Sequence, residues 1–223
     1  MSRALTVSLV VCLLAGCSTL PALANLFDGR WQDAMPVVLG VRARILTGGL
    51  PNLHGGAASC VWAMVCDDDY WRYAQAGYAR WSGETTLKRF AQWTDVNGVP
   101  DEKRGAAPRG MPTYECIQDA TTGKWTFSYN GTEFADSGDD DCRWAGGVLV
   151  FCGEVTGAAV QMMGESDHKV VFSGFERYVS TCGGDLWQNM WPGGDPPIND
   201  RPLDWGQDVS QANGWFKIWD TTP

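Results

Sequence analysis

The chain consists of short runs of strand-type residues interrupted by polar turns, and it lacks helical periodicity. After the N-terminal apolar segment, no stretch keeps apolar residues at positions i, i+3, i+4 and i+7. Runs of β-branched and aromatic residues recur instead, at 37–46, 60–65, 70–81, 87–95, 124–129, 147–160, 169–172 and 214–219. Such strands between turns predict an all-β fold, an antiparallel two-sheet β-sandwich of the jelly-roll or concanavalin-like type.

The first 24 residues have the pattern of an export signal. One basic residue precedes an apolar run at 4–16, and Ala22-Leu23-Ala24 fits a small-x-small cleavage site. A second pattern, Leu14-Ala15-Gly16-Cys17, resembles a bacterial lipobox, in which Cys17 would be lipidated. Residues 25–223 are then predicted to form a single β-sandwich domain. The expected location is extracytoplasmic, either secreted or lipid-anchored at the cell surface.

The charge balance argues against a nucleic-acid partner. The chain has 26 acidic against 17 basic residues, a formal net charge of −9, and no basic cluster. A nucleic-acid-binding protein needs a basic footprint. Membrane contact is expected only through a lipid on Cys17.

The cysteine count is consistent with export. Six cysteines follow the signal segment: Cys60, Cys66, Cys116, Cys142, Cys152 and Cys182. An even number in an exported chain predicts up to three disulfides, of which Cys60–Cys66 would close the shortest loop.

Two polar residues lie where strands of a sandwich normally carry apolar ones. In the run YAQAGYARW, Gln75 shares a strand face with Tyr73 and Trp81, because side chains alternate along a strand. In VLVFCGEVTG, Glu154 lies in mid-strand with no neighbouring charge. Buried amides and carboxylates need partners. If the two strands are neighbours, Gln75 and Glu154 meet on one sheet face.

Several short motifs follow one another between roughly residues 58 and 165. They are Val61-Trp62-Ala63-Met64, Tyr73-Ala74-Gln75-Ala76-Gly77-Tyr78, Arg89-Phe90-Ala91-Gln92-Trp93-Thr94, Gly123-Lys124-Trp125-Thr126-Phe127, Cys152-Gly153-Glu154-Val155 and Gln161-Met162-Met163-Gly164. In this order they resemble the motifs of glutamic-peptidase-like β-sandwiches, both the eqolisins and the neprosin-like proteins. Against the neprosin type, Gln75 replaces an expected Glu, which leaves the eqolisin-like Gln/Glu pair.

This resemblance implies a glutamic-type endopeptidase that uses Gln75 and Glu154 as a catalytic dyad. Glu154 would take a proton from water and return it to the leaving amine, and the Gln75 amide would stabilise the oxyanion. Tyr73, Trp81 and Trp93 are the predicted substrate-binding residues. No metal or cofactor is expected.

A non-enzymatic binding module for carbohydrate or cell-wall polymer is the alternative function. The expected partner is therefore a polypeptide or a polysaccharide. A long loop at 183–208 carries Trp187, Trp191 and Trp205, which either stack on a ligand or form a small cluster beneath that loop.

Metal binding has weak support in the sequence. His54 and His168 lack ligand spacing for zinc. The aspartate runs 67–69 and 139–141 are more typical of solvated turns than of a calcium site.

Overall fold

The structure, a computed structural model, describes residues 26–49, 58–156, 161–181, 184–194 and 197–221. The predicted signal segment, Cys17 and Cys182 lie outside these ranges. Within them, no helix has the length and apolar character needed to cross a bilayer. Strands dominate the described residues, in the order β1 (Leu26–Ile45), β2 (Ala58–Cys66), β3 (Tyr73–Trp81), β4 (Lys88–Thr94), β5 (Pro100–Arg104), β6 (Thr113–Gln118), β7 (Trp125–Tyr129), β8 (Thr132–Asp136), β9 (Gly146–Thr156), β10 (Val170–Thr181), β11 (Gly184–Asn189), β12 (Ile198–Asn199), β13 (Trp205–Ser210) and β14 (Trp215–Asp220).

The strands form two layers that share β1. Sheet I has the order β12, β1, β9, β2, β3, β4, β5, and it uses residues 26–33 of β1. Sheet II has the order β13, β14, β10, β1, β6, β7, β8, with β11 also on β10, and it uses residues 38–45 of β1. These pairs are antiparallel, so the predicted antiparallel two-sheet β-sandwich is confirmed.

Aromatic side chains from both layers meet in the core between the sheets. Three ring pairs join a strand of sheet I to a strand of sheet II, with centroid distances of 4.9–6.4 Å: Tyr78–Tyr114, Trp93–Phe127 and Phe151–Phe175. All of these side chains are buried. Such large rings supply much of the apolar area that holds two sheets together.

The predicted loop at 183–208 is wrong for much of its length, because β11, β12 and the start of β13 lie within it. Its tryptophans pack on the main body of the sandwich rather than on one another. Trp205 is buried in the core, Trp191 packs on Phe175, and Trp187 lies against Tyr178. The abundance of Gly and Pro concealed these short strands, since both residues normally mark turns.

The described cysteines are buried free thiols. They are Cys60, Cys66, Cys116, Cys142 and Cys152. The expected Cys60–Cys66 disulfide is wrong, since both residues lie on β2, six positions apart. That spacing corresponds to about 20 Å along a strand, whereas a disulfide needs Cα atoms within about 7 Å.

A buried carboxyl group lies at the junction between β1 and β13. Asp28 is fully buried, and its Oδ1 accepts a hydrogen bond from Nε2 of Gln207 at 2.9 Å. Its Oδ2 has no hydrogen-bond partner among the described residues. Burial, opposed by the Gln207 bond and reinforced by the charge of Asp200, raises the pKa of Asp28 to about 8. The side chain therefore stays neutral at pH 7.

Replacing Asp28 by Asn should reduce the pH dependence of stability. Because the Asp28 pKa rises from 3.8 to about 8 on folding, the folded state holds an extra proton between these values. The free energy of unfolding therefore falls as the pH rises from about 4 through 8, by at most about 1.4 kcal/mol per pH unit. In urea unfolding from pH 5 to 9, the free energy of unfolding of Asp28→Asn should increase relative to that of the wild type as the pH rises. Asp208→Asn, an exposed change on β13, is the control, and parallel wild-type and Asp28→Asn curves would contradict this assignment.

Candidate functional site

Gln75 and Glu154 lie on the same face of sheet I, as the sequence predicts. Gln75 pairs in register with Met64 of β2, and Glu154 pairs with Cys60 of β2. Because Cys60 and Met64 are four residues apart, their side chains share one face. This outer face points away from sheet II and carries the following buried side chains: Phe27, Ala58, Cys60, Trp62, Met64, Cys66, Tyr73, Gln75, Ala79, Trp81, Phe90, Gln92, Val148, Val150, Cys152 and Glu154.

The Gln75 amide is bonded to a second amide. Its Nε2 donates to Oε1 of Gln92 at 2.7 Å, and Gln92 is its register partner on β4. The two side chains are 2% and 4% exposed. A buried amide pair of this kind satisfies part of the hydrogen-bonding capacity that would otherwise make burial costly.

The Glu154 carboxylate is held by donors from β2. Its Oε2 accepts a hydrogen bond from Nε1 of Trp62 at 2.9 Å, and Sγ of Cys60 lies 3.5 Å from the same oxygen. Glu154 is 1% exposed. Burial, together with the charges of Asp28 and Glu154, raises the pKa of the nearby Cys152 thiol well above its ordinary value. The face thus contains a buried acidic centre with its own donors.

The expected contact between Gln75 and Glu154 is not formed. Their partners on β2, Met64 and Cys60, are separated by about 13 Å along the strand, and β3 lies about 10 Å from β9 across the sheet. The residue of β9 that aligns with Gln75 is Val150, since both pair with Met64 of β2. The contact required β3 and β9 to be neighbours, but β2 lies between them, and a register offset of four residues separates the two side chains further.

The predicted binding residues divide between the two faces. Tyr73 and Trp81 belong to the outer face, where the ring of Trp81 packs against Phe90 and under the guanidinium of Arg104. Trp93, predicted as a substrate-binding residue, does not belong to the outer face, because its side chain points into the core between the sheets. It follows Gln92 on β4, and consecutive side chains point to opposite faces of a strand.

The contacts of Trp93 explain its placement. Its ring stacks on Phe127 of sheet II with centroids 5.4 Å apart, and its Nε1 donates to Asp140 at 2.7 Å. It is 1% exposed. An aromatic residue used in this way holds the layers together and does not reach the outer face.

Sequence reasoning missed the residues that satisfy the two polar groups. Gln92 is an amide inside the apolar run FAQW, and the alternation that singled out Gln75 would also have selected it. Trp62 appeared in the motifs only as a marker, although its indole N–H is the Glu154 donor. Such a role depends on cross-strand register, which the sequence does not reveal.

A group of three side chains that could hold a metal ion lies elsewhere on the surface. Glu165, Asp167 and His168 each offer one ligand atom, and these atoms lie within 4.8 Å of one another. All three residues are exposed. The aspartate runs behave as turns: Asp67 bonds Arg72 and nearby backbone N–H groups, and Asp141 bonds Arg143.

Comparisons with known proteins identify the fold. No protein-family model matches the chain, and no curated protein does. Similar solved structures include scytalido-glutamic peptidase with a peptide based transition state analog, at 12% identity and a TM-score of 0.54. They also include SCP-B, a member of the eqolisin family of peptidases in a complex with the tripeptide Ala-Ile-His, at 12% identity and 0.51. Each match covers 88% of this chain and 98% of the other. The chain therefore has a glutamic-peptidase-like β-sandwich fold.

Removing the indole donor of Trp62 should destabilise the protein more than a similar change elsewhere. Trp62→Phe leaves the buried Glu154 oxygen without its strongest neighbouring donor. Trp125→Phe is the matched control, because Nε1 of Trp125 is buried without a hydrogen-bond partner among the described residues. We expect the loss for Trp62→Phe to exceed that of the control by about 1–3 kcal/mol in urea unfolding. Equal losses would show that the Glu154 bond contributes nothing.

Proposed function

We propose that the protein binds an extended polypeptide chain along the outer face of sheet I. The observation that carries this proposal is the pair of separate polar centres on one face, the Gln75–Gln92 amides and the Trp62–Glu154 pair. From the register, the two centres are about 16 Å apart, a distance that about five residues of extended chain span. Amides and carboxylates bond peptide N–H and C=O groups, and aromatic side chains between them supply apolar contact.

Access to this face requires movement. The outer-face side chains are at most 9% exposed, and Trp31, Tyr70 and Ile198 pack against them. A ligand gains entry only when the covering segments open. Association should therefore be slower than the usual range of about 10⁵–10⁷ M⁻¹s⁻¹.

Two solved structures of similar fold bear on the choice between a polypeptide and a polysaccharide ligand. They are peptidases, and they hold a peptide based transition state analog and a tripeptide. Their identity to this chain is too low to transfer any residue role. The likeness nevertheless makes a polypeptide the first ligand class to test.

Peptide hydrolysis is the second candidate function, and the shared face of Gln75 and Glu154 favours it. In this mechanism water attacks the scissile carbonyl, Glu154 accepts the water proton and then gives it to the leaving amine. Gln75 Nε2 donates to the oxyanion. The mechanism requires both side chains to leave their present partners and the strands that carry them to shift, because the two groups are about 16 Å apart across β2. This need ranks it second.

We extend the proposal to the location of the protein. The signal pattern in residues 1–24 and the lipobox at Cys17 support export, either as a free protein or with a lipid on Cys17. The intact mass of the protein purified from its native host distinguishes cleavage after Ala24 from a lipidated N-terminal Cys17. An uncleaved N-terminus would contradict export through either signal.

Denatured β-casein tests both functions in one set of samples. The wild type should bind it from pH 3 to 7 without cleaving it, and Glu154→Gln should raise the Kd roughly three- to tenfold, the typical net contribution of one hydrogen bond. The matched control is Glu133→Gln, an exposed change on β8 that should leave binding unchanged. Calorimetry measures binding, and gel electrophoresis measures cleavage.

The alternative outcomes are distinct. Acid-dependent cleavage that Glu154→Gln and Gln75→Leu both abolish would establish the peptidase and displace the binding proposal. Retention on insoluble polysaccharide, with no casein binding, would indicate a carbohydrate-binding module. Casein affinity equal in wild type and Glu154→Gln would exclude Glu154 from the binding face.

A further inference from the structure

The most exposed tryptophan among the described residues stands at one end of sheet I. Trp71, in the loop 67–72 between β2 and β3, is 53% exposed. Val99, in the loop 95–99 between β4 and β5, is 60% exposed. A large apolar side chain that remains in water is often a binding residue when neighbouring groups hold it in place.

Two loops hold Trp71 in position. Its backbone N–H donates to Oδ1 of Asp67 at 2.8 Å, and Asp67 is itself paired with Arg72. Its indole lies against Gly98, where an added Cβ would come within 2.1 Å of Nε1. Gly98 has φ +76, so the turn also needs glycine for its backbone conformation. The ring is thus oriented while more than half of its surface faces solvent.

The surroundings of Trp71 carry three carboxylates that form no ion pair within the described part of the chain. Asp68 and Asp69 are exposed beside it, and Asp95 begins the loop that contains Gly98. None of the ion pairs among the described residues involves these three carboxylates. The nearby basic side chains are already paired, Arg72 with Asp67 and Arg143 with Asp141.

The third loop of this end, 137–145, is tied to the second. Val96 N–H donates to the carbonyl of Asp141 at 2.7 Å, and Trp93 Nε1 donates to Asp140 at 2.7 Å. Loops 67–72, 95–99 and 137–145 therefore form one connected surface, which we call the Trp71 end. Its ordered loops limit the entropy lost on binding.

We propose that the Trp71 end is a second binding surface, one that takes a Lys- or Arg-bearing segment of a polypeptide. The indole face attracts a guanidinium or ammonium group, and Asp68 and Asp69 bond the same cation or its neighbour along the chain. Asp95, whose oxygens accept hydrogen bonds from Asn97 and Val99, adds negative charge to the surface. Anionic partners such as acidic glycans or nucleic acids are repelled by the same carboxylates. Tyr70 of loop 67–72 packs against the outer face, but Trp71, Asp68 and Asp69 do not belong to that face, so the proposal does not depend on how Gln75 and Glu154 act.

Acetylated tetra-arginine amide, titrated by calorimetry into the full chain, tests this surface. Trp71→Ala should raise its Kd about two- to fivefold, the effect of one exposed cation–π contact. The double change Asp68→Asn with Asp69→Asn should raise the Kd by a similar factor. Addition of 0.5 M salt should weaken the binding of tetra-arginine to the wild type. Acetylated tetraglutamate amide should not bind.

Matched controls separate this surface from the general acidity of the protein. Asp185→Asn with Asp208→Asn removes two exposed charges from sheet II, and Leu203→Ala removes a 93% exposed apolar side chain. Both variants should bind tetra-arginine as the wild type does. Equal weakening by the sheet II charge variant, no effect of Trp71→Ala, or no tetra-arginine binding at all would overturn the proposal.

Discussion

The outer face depends on the register of β2 between β9 and β3. Nine residues of β2 pair with both neighbours, so its position decides which side chains of the three strands meet. Gly77 permits a close approach of β3 to the backbone of β2, since a Cβ there would lie 1.8 Å from the carbonyl oxygen of Val61. Trp62 stands opposite this glycine and reaches Glu154. The buried acid is therefore satisfied by the same ladder that separates it from Gln75.

This arrangement gives the face two polar centres where the sequence suggested one. A dyad acts on a single bond of its substrate, because both groups must reach the same atoms. Two centres on opposite sides of β2 are too far apart to reach the same atoms of a ligand.

Much of the architecture could be predicted from local pattern. The alternation in YAQAGYARW and VLVFCGEVTG placed Gln75 and Glu154 on buried strand faces, and both are buried. Alternation acts over a few residues, so it survives without knowledge of the fold. Register and layer membership depend on long-range packing, which is why the Gln75–Glu154 contact and the outer placement of Trp93 were wrong. The short strands β5 and β11 were missed for a related reason: they lie at edges, where charge and glycine replace the apolar pattern.

The strand β1 belongs to both layers, with residues 26–33 in sheet I and residues 38–45 in sheet II. Loss of its pairing in one layer also destabilises its pairing in the other, since a single covalent segment carries both sets of backbone hydrogen bonds. The two layers should therefore open together rather than as independent cooperative units. Amide protons along both halves of this strand would then exchange with solvent at a common, slow rate, and a fluctuation at the outer face would be felt at the far side of the sandwich.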